Sequence, residues 1–354
     1  RWTSLNESMP CLESFLHSTA DGSLSPLNED RGMSWLIFLP LFSLLGGCSY
    51  VSGFVRAQSP RSLFERGYFA EMAADEGYPA LRASDGVRVS RDITYWNAGT
   101  TKGQRAFMLD VVAPTAESQS PRPIVVFAHG GGLNAGAKDD ETHVNANLAI
   151  ALAQRGYLVL NINHRLAAEA PHPAQAQDMA AAVRWAMDQG AAYGGDPQRI
   201  VLGGFSSGGY LAALLAGDPR YLQAAGVKPT RIRAVFAISG FFDLKDLSQS
   251  FLVKKFIVEP AFGGDRAAWQ AASPSTYADA HWPPTLLLSA AHDRSASPQS
   301  NALCTQLQRA GVACRHVVVP ASRHATAIAH LGSERATASF DGLVEFLDQH
   351  TAGR

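Results

Sequence analysis

The 354-residue chain lacks an excess of either charge: 30 lysines and arginines stand against 31 aspartates and glutamates, for a net charge of -1. Without a basic surplus there is no electrostatic footprint for a polyanion, so nucleic acid is not an expected partner. Cysteine is scarce, with four in the whole chain, and no Cys or His pairs stand at metal-ligand spacing, so no metal site is expected. Long apolar runs are missing as well. The run at residues 35–45 falls short of the about 17–25 residues that a spanning helix needs. Internal repeats and blocks of like charge are absent too.

What is present is core-forming material, 46% of residues being hydrophobic, enough for one large domain. Between residues 120 and 350, short apolar runs alternate with helix-prone segments. This pattern predicts an α/β fold with a mostly parallel central sheet and helices on both faces. Residues 89–96 and 107–112, with a turn near Gly99 to Gly103, read as a leading hairpin. The expected organisation is a leader (1–48), a helical extension (49–87, with a helix near 62–74) and the α/β domain (88–350). Within that domain, an insert at 244–272 reads as a small cap, where Phe251, Leu252, Phe256, Ile257 and Phe262 either line an acyl pocket or pack the cap onto the core.

Two motifs carry chemistry. Gly204, Phe205, Ser206, Ser207 and Gly208 follow an apolar strand (199–203) and precede a helix-prone run (210–216). A serine on so tight a turn presents its hydroxyl above the sheet edge, and the flanking glycines relieve the crowding. Upstream, a strand at 123–128 runs into His129, Gly130, Gly131 and Gly132. Unobstructed N–H groups in such a loop can supply one side of an oxyanion hole and the residue after the nucleophile the other, so Gly131, Gly132 and Ser207 are the candidates.

A serine nucleophile needs a base and an acid, expected downstream in the order acid, then histidine. Asp293 ends an apolar strand at 284–290, and His324 follows the strand at 314–320. Both therefore fall where an open parallel sheet places its ligand chemistry. The rivals fit less well. His316 begins a strand, His330 lies in a following helix, and His292 precedes the acid. Asp265, Asp279 and Glu259 have no clear strand before them.

These features together resemble an alpha/beta hydrolase of the hormone-sensitive lipase and bacterial carboxylesterase type, over about residues 88–350. The stretch Asn163 to Pro171 resembles that family's "YRLAPE" segment, and the 178–185 helix and Tyr193 to Pro197 fit as well. The resemblance implies that Arg165 and Glu169 are scaffold, and that the chain hydrolyses small carboxylic esters by two-step acyl transfer. Two positions depart from the family: His164 stands where tyrosine is usual, and Leu133 where an aromatic is common, close to the expected substrate. An aromatic (feruloyl-type) esterase or an arylformamidase would use the same residues; a serine peptidase of related fold is a weaker alternative. An answer of another class is a catalytically silent binding protein on the same scaffold.

The front of the chain carries a separate expectation. Residues 33–47, from Met33, resemble a signal peptide, and Leu45, Gly46, Gly47 and Cys48 resemble a bacterial lipoprotein box. Lipidation of Cys48 would anchor the protein in the cell envelope on the periplasmic face. Cys11 lies in the leader. Cys304 and Cys314, ten residues apart, read either as a disulfide or as two buried thiols. The sequence carries no information on oligomeric state.

Overall fold

The computed structural model describes residues 86–96, 104–140, 142–249 and 253–352. The leader with Cys11, the lipoprotein box at Cys48, the extension through residue 85, the hairpin turn at 99–103, and Phe251 and Leu252 lie outside the described residues, as does the Phe256 side chain.

Eight strands form one sheet: β1 (Val87–Thr94), β2 (Met108–Pro114), β3 (Arg122–Ala128), β4 (Leu158–Ile162), β5 (Gly195–Phe205), β6 (Ile232–Ile238), β7 (Thr285–Ala290) and β8 (Cys314–Val319). Their spatial order is β1-β2-β4-β3-β5-β6-β7-β8. β1 and β2 form the expected antiparallel hairpin, and β2 runs antiparallel to β4. From β4 to β8 every pairing is parallel.

The central strands are apolar along their whole length because both faces are covered. Ile124, Val126 and Ala128 of β3 and Ile200 and Leu202 of β5 share a core with Met179 and Val183 of α2 (Ala174–Gln189) and Tyr210 and Leu211 of α3 (Ser207–Gly217). Alternate strand residues point the other way, toward α1 (Val144–Gln154) and α5 (Thr337–Thr351). A second cluster on the α3 side joins Ala213 and Leu287 to Leu303 and Leu307 of α4 (Ala296–Arg309). Cys304 of α4 and Cys314 of β8 are joined as a disulfide with Cα atoms 5.4 Å apart, so the thiol alternative does not apply.

Chain order and spatial order together position the chemistry. After β3 the chain steps to β4, then crosses back over β3 to lay down β5 on its other side. The loops leaving β3 and β5 therefore diverge above the sheet and leave a crevice at its carboxyl edge, the usual ligand location in open α/β sheets. The glycine loop follows β3 and the serine turn follows β5.

The insert between β6 and β7 is a set of short helices: Leu244–Leu247, a π-helical turn at Lys254–Val258, Glu259–Phe262 and Arg266–Ala271. Phe262 takes the packing role. It is buried in the main core with its ring edge-on to Tyr210, 5.6 Å between centroids. Ile257 does reach the site: a Cβ at Gly132 would lie 3.4 Å from its side chain.

One close approach in the sheet demands glycine. Phe127, Gly203 and Phe236 are in register across β3, β5 and β6, and the two phenylalanine rings stack at 6.1 Å over the glycine. A Cβ at Gly203 would lie 2.2 Å from the Phe236 ring. Gly203→Ala is expected to destabilise the fold by about 1–3 kcal/mol through overpacking, read as a lower midpoint in urea unfolding at unchanged slope. An unchanged midpoint would show that the ring can move aside.

Candidate functional site

The serine turn is held by contacts that leave no freedom at its ends. Ser206 has φ 51° and ψ -115°, a conformation that an L-residue adopts only when its surroundings enforce it. Its N–H donates to the Ile238 carbonyl at 2.7 Å and its carbonyl accepts from the Tyr210 N–H at 3.0 Å. A Cβ at Gly204 would lie 2.2 Å from the Gly208 backbone, and one at Gly208 would lie 2.0 Å from the Ala128 carbonyl oxygen. Both glycines are thus set by backbone meeting backbone where β5, α3 and β3 converge.

Three side chains predicted separately come together at this edge. The Ser206 hydroxyl hydrogen-bonds Nε2 of His324 at 2.9 Å, and Nδ1 of His324 meets Oδ2 of Asp293 at 2.5 Å. The other carboxylate oxygen of Asp293 accepts the N–H groups of Ser295 and Ala296 at 3.0 and 2.8 Å, which fixes its orientation. Burial pushes the Asp293 carboxyl upward, but the charge and hydrogen bond of His324 and the two backbone donors outweigh it. The net effect holds Asp293 below its ordinary value, and it stays ionised. A carboxylate, an imidazole and a hydroxyl linked in this order can take a proton from the hydroxyl as it attacks an electrophile.

The glycine loop leaves the same sheet edge at the end of β3. Gly131 and Gly132 have φ of 121° and 62°, and a Cβ at Gly131 would overlap the Ala135 carbonyl at 2.1 Å. The Gly131 carbonyl accepts from the N–H groups of Asn134 and Ala135, closing a tight turn. Ser207 is the first residue of α3 and fully buried, and N–H groups in a helix's first turn have no acceptor within the helix.

The rejected candidates have structural partners. His316 hydrogen-bonds Ser289 within the sheet; His330 is buried in the Thr326–His330 helix, and His292 is exposed. Asp265 caps the Arg266–Ala271 helix, Asp279 accepts from the His281 N–H, and Glu259 pairs with Lys254 and Lys255. Leu133, expected close to the substrate, is instead fully buried in the main core, its carbonyl accepting from the Ala167 N–H. With φ 63° just past the glycines, its side chain is directed inward.

Arg165 and Glu169 serve as scaffold. The Arg165 guanidinium and N–H both bind the fully buried Asp178 carboxylate, at 2.6–3.0 Å, and Glu169 accepts the Leu166 N–H at 2.9 Å. These bonds fix the segment after β4 beside the glycine loop.

Sequence reasoning missed Lys138. Its ammonium is fully buried and pairs with Asp92 at 2.9 Å and Asp110 at 2.8 Å, with Asp139 at 3.4 Å. A bulge in β1 turns Asp92 to φ 56°, so that its N–H donates to Asp110 and its carboxylate reaches the lysine. The backbone of Lys138 is held as well, by Asn161 and Asn163 of the β4 end. Burial draws the Lys138 ammonium down, but its bonds to Asp110 and Asp92 more than offset this and it stays charged. The signal was Asp110 within an otherwise apolar strand, since a buried carboxylate calls for a cation.

Residues 109–307 match the BD-FAE family profile. The chain belongs to the BD-FAE family. This BD-FAE member is 29% identical over 271 residues to LipM of Mycobacterium tuberculosis, described as a probable carboxylic ester hydrolase, covering 72% of this chain and 60% of LipM. It is 42% identical over 94 residues to the carboxylesterase NlhH of the same organism, covering 27% of this chain and 28% of NlhH. The BD-FAE member thus spans less than two thirds of these curated relatives. Its fold is that of alpha/beta hydrolases. A thermostable esterase from Pseudomonas putida superposes with a TM-score of 0.67 at 20% identity, covering 94% of this chain and all of that one. Esterase B from Lactobacillus rhamnosus superposes at 0.62 with 22% identity, covering 82% of this chain and 98% of that one.

Replacing Lys138 by methionine leaves the buried Asp110 carboxylate with only the Asp92 N–H at 2.9 Å and the exposed Arg91 guanidinium at 3.7 Å. Because Asp92 reaches solvent, the expected loss lies near the lower end for broken buried pairs, about 3 kcal/mol, measured by urea unfolding. A loss under about 1 kcal/mol would mean that Arg91, 3.7 Å from Asp110, compensates the carboxylate.

Proposed function

We propose that this BD-FAE family member hydrolyses small carboxylic esters through an acyl-enzyme on Ser206, with His324 as base, Asp293 as its orienting acid and the N–H groups of Gly131, Gly132 and Ser207 as the oxyanion hole. The observation that carries this reading is the hydrogen-bonded row from Asp293 through His324 to Ser206. The esterase names of the relatives support the same reaction class.

In the first step the Ser206 hydroxyl adds to the ester carbonyl while His324 accepts its proton on Nε2. The Asp293 carboxylate fixes the Nδ1–H tautomer and stabilises the imidazolium. The carbonyl oxygen becomes an oxyanion received by the backbone donors, and His324 then returns the proton to the leaving alkoxide as the alcohol departs. Water repeats the sequence on the acyl-enzyme, releases the carboxylic acid and restores Ser206. The reaction calls on no cofactor. Ile257, beside Gly132, is the cap residue best placed to meet the substrate's acyl or alcohol portion.

Hydrolysis of p-nitrophenyl esters from acetyl to palmitoyl, beside Ser206→Ala, tests the reading. The variant is expected to lose about 10⁴-fold or more in kcat, and the chain-length profile of the native protein reports the size of the pocket. Equal, negligible rates for both proteins across esters, amides and aryl formamides would favour a silent binding protein.

The same assay carries a pH prediction. The base must be uncharged to accept a proton, so kcat/KM falls on acidification as an imidazole protonates. Asp293, held low, remains a carboxylate through that range, so this limb belongs to one group and log(kcat/KM) should fall with a slope of about 1. A rate that rises on acidification would exclude His324 as the base.

A further inference from the structure

His129 and His164 are both buried, at 1% and 2% exposure, and their rings lie face to face with centroids 4.3 Å apart and planes 13° from parallel. Neither belongs to the proposed triad. Nδ1 of His129 lies 2.7 Å from the Gly130 carbonyl oxygen, and Nδ1 of His164 lies 3.0 Å from the Arg165 carbonyl oxygen. A carbonyl can only accept, so each ring carries its proton on Nδ1 and an open lone pair on Nε2. Nε2 of His164 is buried with no hydrogen-bond partner.

The stack bridges the segment after β4 and the glycine loop after β3. On one side Asp178 clamps Arg165 through backbone and guanidinium, and the Arg165 carbonyl holds the His164 ring. On the other, His129 holds the first glycine of the loop, and the loop folds back so closely that a Cβ at Gly136 would lie 2.3 Å from the Gly130 oxygen and 2.9 Å from Nδ1 of His129. The position of Gly130 to Gly132 is thereby referred to the His129 ring, and that ring to His164.

We propose that His164 is a positioning residue for the 130–132 loop, acting through the His129 imidazole stacked on it, in an arrangement suited to two uncharged rings. It rests on the esterase reading, because the loop matters to rate only as an oxyanion hole. Charging either ring would bury an imidazolium against its neighbour, and charging both would set two cations face to face. Burial holds both imidazoles below the ordinary value. For His164 it prevails over the Arg165 and His129 carbonyls and the carboxylates of Asp178 and Glu169, which favour the cation. For His129 the neighbouring His164 adds to the burial, against the Gly130 carbonyl and Asp139. Arg165, ion-paired to Asp178, is the cation on the same segment.

Two substitutions separate positioning from mere packing. His164→Ala removes the stacking face, and p-nitrophenyl butyrate hydrolysis should lose at least about tenfold in kcat with KM within about threefold, short of the 10²–10³-fold cost of a missing oxyanion donor. His164→Tyr keeps an aromatic face that does not protonate in acid. It should retain kcat within about threefold while abolishing a second, lower limb in the pH profile of the native protein, at pH values where circular dichroism shows the fold intact. A kcat unchanged in His164→Ala, or a second limb that survives in His164→Tyr or coincides with unfolding, overturns the proposal. Nitrogen-15 NMR of histidine-labelled protein gives a readout apart from activity: at neutral pH, His129 and His164 should both be Nδ1–H tautomers. An Nε2–H tautomer at either ring overturns the stack as described. Loss of Ser206 dependence, with both tautomers as expected, would instead count against the esterase reading.

Discussion

The site depends on backbone meeting backbone where β3, β5 and α3 converge. Gly208 sits so close to the Ala128 carbonyl, and Gly204 so close to Gly208, that no side chain fits at either position. That approach brings the start of α3 down against the sheet and leaves Ser206 on a turn with positive φ. A residue in such a conformation costs about 1–3 kcal/mol. The hydrogen bonds of Ser206 to Ile238 and Tyr210 and the buried apolar strands on both sides offset that cost. The strain is thus distributed into the sheet, and the serine hydroxyl stands where the imidazole can reach it.

Around this point the molecule uses polar interactions sparingly and in buried positions. Asp293 is held by two backbone N–H groups as well as by His324. Lys138 gathers Asp92 and Asp110 and ties the hairpin edge to the loop after the glycines. Arg165 and Asp178 lock the segment after β4. Each of these pairs is satisfied on more than one side, the condition under which a buried charge is tolerated. They fix the loops after β3, β4 and β7, which leave the sheet at its carboxyl edge.

Much of the fold was legible because its signals are local. Parallel strands covered on both faces read as apolar runs, and the hairpin, α3, β7 and β8 fall close to where the pattern put them. The residues at the strand ends were legible for the same reason: chain order and position after a strand suffice to nominate Ser206, Asp293 and His324. Leu133, Phe262 and Lys138 were not, since the direction of a side chain in a loop or short helix depends on what packs beside it. Leu133 follows two glycines of positive φ, and that backbone turn directs it into the core.

The sequence by itself determined the alternation of strands and helices, the two glycine-bounded turns and the candidates for nucleophile, base and acid, because these follow from residue type and nearest neighbours. Only the tertiary structure decided that β5 crosses back beside β3, that Cys304 meets Cys314, that Asp110 finds Lys138, and that His164 stacks on His129. Each of these joins residues brought together by sheet order or by the packing of loops. Contacts of that kind are set by which faces must be buried together, which no local window of the chain contains.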